Sequence, residues 1–131
     1  MNPSEIMQTD NQNAEINHFV KMYSAFQNED NLFFLLEFFQ GGDLLSRYED
    51  LGNCIDEKVA QFYAANIVVI LETLHQKGVV HRDIKSENFL VADDGFLKLA
   101  DFGLSKDGMN RKRRAFTLTG TSEFMAPEVL E

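Results

Sequence analysis

A single long amphipathic stretch limits what this chain can fold into more than any other feature. Asp56 stands at a helix N-cap position, and Val59, Phe62, Tyr63, Ile67, Ile70, Leu71 and Leu74 follow at helical spacing. Gly78 supplies a residue able to close the helix in the left-handed conformation. So wide an apolar stripe needs cover from other parts of the chain, and β-type runs lie on both sides of it. Upstream, His18 to Phe26 and Leu32 to Phe39 flank the polar cluster Gln27 to Asn31 and predict an antiparallel hairpin. Downstream, Phe89 to Ala92 and Phe96 to Ala100 flank Asp93-Asp94-Gly95, a strong signal for a second, tight hairpin. Gly41-Gly42 breaks the first strand pattern, and a short helix is predicted from Asp43 up to the Gly52-Asn53 turn. The polar start has room for a short helix around Ile6 and Met7. Asp101 to Glu131 shows no sustained period and reads as a long ordered or switchable segment. The mixture is an α+β pattern.

Composition narrows the function classes. With 44% hydrophobic residues over 131 positions, the chain can bury a real core. A formal net charge of −9 argues against general binding to nucleic acid or anionic membranes and suits a cationic substrate better. Cys54 stands alone, which excludes an intramolecular disulfide or a cysteine-based zinc site and suits an intracellular, cytoplasmic setting, a nuclear one being compatible. Met1 to Asp10 lacks the basic and apolar regions of a signal peptide. The apolar run Phe33 to Phe39 is short and interrupted by Glu37, so no membrane span is expected. His18 and His75 show no metal-ligand spacing.

Three short motifs carry the chemistry. His81-Arg82-Asp83, with Asn88 five residues after the Asp, places a carboxylate and an amide on one loop. Asp101-Phe102-Gly103 follows the second hairpin, and Ala126-Pro127-Glu128 comes near the end. In this order they resemble the signature set of eukaryotic protein kinases, and the resemblance runs from about Phe19 to Glu131. Lys85, two residues after Asp83, points within that family to the Ser/Thr branch, and Thr117 to the cyclic-AMP-dependent-like group. The fold this implies is a partial protein-kinase core. Residues 1–36 would be the end of the small lobe with part of its antiparallel sheet, 37–43 the hinge, and 44–131 the helical lobe from its start through the activation segment.

The activity implied by the resemblance is ATP-dependent phosphorylation of Ser or Thr in protein substrates, with Mg2+ as cofactor. Asp83 resembles the base that accepts the substrate hydroxyl proton, and Lys85 the lysine that contacts the transferring phosphate. Asn88 and Asp101 resemble the two magnesium ligands, hard oxygen donors suited to a hard ion. His81 and Phe102 would pack into the core. Leu36-Glu37-Phe38-Phe39 resembles the hinge, with backbone groups of Glu37 and Phe39 on adenine and Leu36 as gatekeeper; a buried strand ending at the Gly-Gly turn fits the same residues. Leu90 would join the nucleotide pocket, and Asp43 would reach the ribose or a substrate arginine. Thr117, with Thr119 as second candidate, sits where such kinases are phosphorylated by an upstream kinase, and Arg82 would pair with that phosphate; an exposed loop threonine is the alternative. Thr121 resembles the threonine that orders the catalytic loop. Arg111 to Arg114 read first as a basic insert in a solvated loop and second as a nuclear-import or docking element. Glu87 and Asp43 suggest substrates with arginine upstream of the target residue.

The chain also departs from the family pattern. Within its 131 residues there is no Gly-x-Gly-x-x-Gly and no Val-Ala-Ile-Lys strand. Lys21 lies in the strand after the expected αC position and is not the ATP-clamping lysine, and Glu5 has imperfect spacing for the αC glutamate. Ser86 and Ser122 stand where many relatives have proline, and His81 where the cyclic-AMP-dependent-like group often has tyrosine. The expected consequences are a core open on two sides, association through exposed apolar faces, and no activity for the 131-residue product alone. A non-catalytic kinase relic acting as a protein-binding module is the competing reading.

Overall fold

The structure, a computed structural model, describes residues 17–109 and 119–130. Strands β1 (Met22–Gln27) and β2 (Leu32–Leu36) pair antiparallel. Their turn is set by Asn28, whose side-chain oxygen accepts the backbone N–H groups of Asp30 and Asn31 at 3.0 and 2.8 Å. Helix α1 (Leu44–Asp50) starts where Asp43 accepts the Ser46 N–H at 2.9 Å, and ends before the left-handed pair Gly52 and Asn53. Helix α2 (Glu57–Gln76) is capped by Asp56 through the Lys58 N–H at 2.8 Å and closed by Gly78 at φ 73°. Strands β3 (Phe89–Val91) and β4 (Leu97–Leu99) form the second antiparallel pair, and a short α3 (Pro127–Leu130) begins within the Ala126-Pro127-Glu128 motif.

The core lies where α2 meets the second hairpin. Ile70 and Leu74 are fully buried against Phe89 and Val91 of β3 and Leu97 and Leu99 of β4, with Phe19 and Val79 completing the cluster. Each such side chain contributes roughly 1.5–3 kcal/mol by leaving water. Asn66 of α2 reinforces the packing by accepting the Leu97 N–H at 3.3 Å.

Among the described residues the helix and turn expectations match, whereas several strand boundaries shift for identifiable reasons. β1 begins at Met22, not His18, because the preceding residues run beside β4 instead. The Leu99 N–H donates to His18 O at 2.9 Å, and the Val20 N–H to Leu99 O at 3.0 Å. β2 stops at Leu36, not Phe39, because its partner strand β1 starts at Met22, directly opposite Leu36. In the second hairpin Ala92 and Phe96 close the turn and are not part of the strands.

Cover for the apolar surface is one-sided. On α2, Val68 is 63% exposed, and Val59, Phe62 and Val69 also face outward. Most of the first hairpin is exposed, including Phe26, stacked on Phe33, and Phe34. Among the described residues no helix is long and apolar enough to cross a membrane. The predicted helix around Ile6 and Met7, Glu5, Arg111 to Arg114 and Thr117 lie outside the described residues.

Candidate active site

Val80 and Lys106 exchange backbone hydrogen bonds of 2.9 Å in both directions, so the loops between them begin and end together. Within that frame His81 is 1% exposed. Its Nε2 lies 3.0 Å from Ala100 O, while its Nδ1 accepts the Asp83 N–H at 3.3 Å. A neutral ring protonated on Nε2 meets both partners, and burial pushes its pKa below the usual histidine value. Phe102 packs edge-on against His81 at 5.1 Å and Phe19 at 5.7 Å, so both motif aromatics are structural, as the sequence suggested.

Asp83 is the most heavily bonded side chain of the loop and is 7% exposed. One carboxylate oxygen accepts the Thr121 N–H at 2.9 Å and the Thr121 hydroxyl at 2.7 Å. The other faces Lys85 Nζ at 2.9 Å and Asn88 Nδ2 at 3.2 Å. The Lys85 ammonium first, and Thr121 second, lower the Asp83 pKa to about 2, and Asp83 in turn raises that of Lys85. Asn88 gives its amide to the Asp83 carbonyl as well, at 2.7 Å, which makes Oδ1 the atom of this side chain able to ligate a cation.

The two loops are joined by backbone. The Ala100 N–H donates to Asn88 O at 2.8 Å, so the next residue, Asp101, emerges beside the Asn88 turn. Asp101 is exposed and left-handed at φ 56°, with one carboxylate oxygen accepting the Gly103 N–H at 3.2 Å. Arg82 is also left-handed, at φ 71°, and its Nε donates to Leu104 O at 2.6 Å. Gly120, at φ 117°, lies against the Arg82 carbonyl so closely that no side chain fits there.

Beside the central residues of β3 and β4, Glu37 donates its N–H to Lys21 O at 2.8 Å. Its carboxylate meets Lys98 Nζ at 3.0 and 3.1 Å, and that ammonium sits 5.3 Å from the Phe39 ring centre. Half-buried Leu90 bridges to Asp43, and the Val91 N–H donates to Gly42 O at 2.9 Å. The Asp43 carboxylate is committed to α1, accepting the Ser46 N–H at 2.9 Å and hydroxyl at 2.7 Å, and these bonds lower its pKa.

Asp83, Lys85, Asn88 and Thr121 are thus in direct contact, Asp101 is tied in through Asn88, and Glu37, Phe39, Leu90 and Asp43 form a second group beside Lys98. Among the described residues no three His, Cys, Asp or Glu side chains gather as a metal cage. One amide oxygen and one carboxylate are nonetheless a hard-donor pair that suits Mg2+, an ion that keeps waters and takes further oxygens from a bound phosphate. Sequence reading missed Lys98 and Gly120; the only signals were the alternation Leu97-Lys98-Leu99 and a glycine beside Thr121.

The family model for the protein kinase domain matches residues 3–131. This chain belongs to the protein kinase family. The kinase chain is 43% identical over 119 residues to human ribosomal protein S6 kinase alpha-2, covering 89% of this chain and 16% of that protein. It is 42% identical to mouse ribosomal protein S6 kinase alpha-3 and 43% identical to human ribosomal protein S6 kinase alpha-6, with the same coverage. The chain therefore spans about 16% of the length of the curated relatives it matches. These relatives accord with the Ser/Thr branch read from Lys85.

Proposed function

We propose that these residues form the catalytic-loop half of an enzyme that transfers the γ-phosphoryl group of ATP to Ser or Thr hydroxyls of proteins. The observation that carries this reading is the Asp83 carboxylate, fixed by Thr121, Lys85 and Asn88 beside the loop that presents Asp101. An aspartate with a pKa of about 2 is a weak base. Its work is to orient the substrate hydroxyl and take the proton late, as expected where the transition state is loose. Lys85 is placed to neutralise charge on the transferring group. Asn88 Oδ1 and Asp101 would hold Mg2+, which when bound neutralises phosphate charge. Adenine would lie over Leu90, bonded to the Glu37 carbonyl and the Phe39 backbone, with residues 37–43 acting as the hinge.

The same geometry supports a reading of regulation and specificity. Arg82 uses Nε on Leu104, which keeps its terminal nitrogens for a phosphate on Thr117 delivered by an upstream kinase. Since Asp43 caps α1, exposed Glu87 is the better partner for an upstream substrate arginine. A reducing intracellular compartment suits the lone Cys54. With Val68 and the first hairpin exposed, the 131 residues alone would associate and remain inactive. The test is Mg2+-dependent transfer from labelled ATP to a Ser/Thr peptide by the full-length protein that carries these residues, with Asp83→Asn as the inactive control.

A further inference from the structure

We propose that Lys98 is a positioning residue for the nucleotide base, bracing the hinge against the strand that leads to Asp101. The proposal rests on the reading above that adenine binds the backbone of residues 37–39. Leu97 and Leu99 are buried at 1% and 0% exposure, so strand alternation sends Lys98 to the opposite face of β4. Its cross-strand partner in register is Leu90, the residue assigned to the nucleotide pocket. Lys98 and the pocket therefore share one face of the hairpin.

From that face Nζ reaches both Glu37 carboxylate oxygens, at 3.0 and 3.1 Å, and lies 5.3 Å from the Phe39 ring centre. Both proposed base-binding residues are thus held by one ammonium. Glu37 is fixed further by Lys21, whose backbone N–H donates to Glu37 Oε2 at 3.3 Å and whose carbonyl accepts the Glu37 N–H at 2.8 Å. The pair is half-desolvated, with side-chain exposures of 19% for Lys98 and 26% for Glu37, so its attraction is screened less than that of a surface pair. Lys98 is three residues before Asp101 on a strand whose ends are locked in the core. A shift of the hinge therefore has to work against the same strand that sets the metal loop.

The test compares KM for ATP, kcat and inhibition by tripolyphosphate, which lacks the base, in the full-length protein that carries these residues. Lys98→Met should raise KM for ATP by about fivefold, leave kcat within about twofold, and leave tripolyphosphate inhibition unchanged, and Glu37→Gln should raise KM for ATP by a similar factor. The exchange Lys98→Glu with Glu37→Lys should restore KM. Wild-type KM in both single variants overturns the role of Lys98 while ATP use and the hinge reading stand. Equal loss of ATP and tripolyphosphate affinity also overturns it, since Lys98 would then support the whole site. Failure of adenosine to inhibit the wild-type enzyme overturns the base-binding reading itself, and this proposal with it.

Discussion

Thr121 gives both its backbone N–H and its hydroxyl to one oxygen of Asp83, at 2.9 and 2.7 Å, and the same hydroxyl lies 3.3 Å from Lys85 Nζ. The stretch just before α3 therefore reaches back to hold the Asp83 carboxylate. Thr121→Ala should lower kcat about ten- to a hundredfold, the range for losing a hydrogen bond to a charged group at a reacting centre. Thr121→Ser keeps the hydroxyl and should remain within about threefold. Steady-state rates with a Ser/Thr peptide decide it, and a fully active alanine variant would show that the bond is not used in turnover.

Burial of His81 links stability to mild acid. The native ring holds its pKa below the ordinary value near 6.5, so just under that pH the unfolded chain binds more protons than the folded one. Stability should be complete above about pH 6.5 and fall as the pH drops from there through the native pKa. Thermal denaturation between pH 8 and 5 should show a clear decline in the wild type and a smaller one in His81→Phe, whatever the absolute loss from the missing Ala100 bond. Parallel curves would exclude His81 as the source.

Two glycines with positive φ should respond differently to alanine. Around Gly95, at φ 83°, there is open space, so Gly95→Ala should cost only the left-handed backbone penalty, about 1 kcal/mol. Gly120 combines φ 117° with direct contact to the Arg82 carbonyl, so Gly120→Ala should cost about 3 kcal/mol and also reduce kcat by displacing Thr121. Denaturant melts paired with rate measurements separate the two effects.

How far the sequence was legible depended on the range of the forces involved. Helix α2, its Asp56 cap and its Gly78 stop rest on neighbours a turn apart, and all were readable. The start of β1 was not, because His18 to Val20 take their partners from β4, about eighty residues on, and no local pattern records that choice. Asp43 shows a subtler limit. The helix beginning there was readable, yet the carboxylate that the resemblance assigned to ribose or arginine serves the Ser46 N–H and hydroxyl. The Glu37–Lys98 pair joins residues 61 apart; Glu37 was marked for its backbone alone and Lys98 not at all, since no local pattern links their side chains. Asp83, Asn88 and Thr121 were legible through motif resemblance; their mutual distances were not.

Core and surface positions of α2 should separate cleanly in stability. Leu74 is fully buried among β3 and β4 residues, so Leu74→Ala should cost roughly 2–5 kcal/mol. Val68, 63% exposed on the same helix, should change stability by less than about 0.5 kcal/mol as alanine, and Val68→Ser should reduce association of the isolated chain. Chemical denaturation and light scattering read the two outcomes.

The central claim is that Asp83, Asn88 and Asp101 serve one metal-nucleotide site with divided roles. Equilibrium binding of Mg2+-ATP, measured beside single-turnover transfer to a Ser/Thr peptide in the full-length protein, tests it most directly. Asp83→Asn should keep nucleotide affinity within about threefold while abolishing transfer, and Asp101→Asn and Asn88→Ala should weaken metal-dependent binding about tenfold or more. Normal transfer by Asp83→Asn, or unchanged Mg2+-ATP binding by Asp101→Asn, would contradict the account.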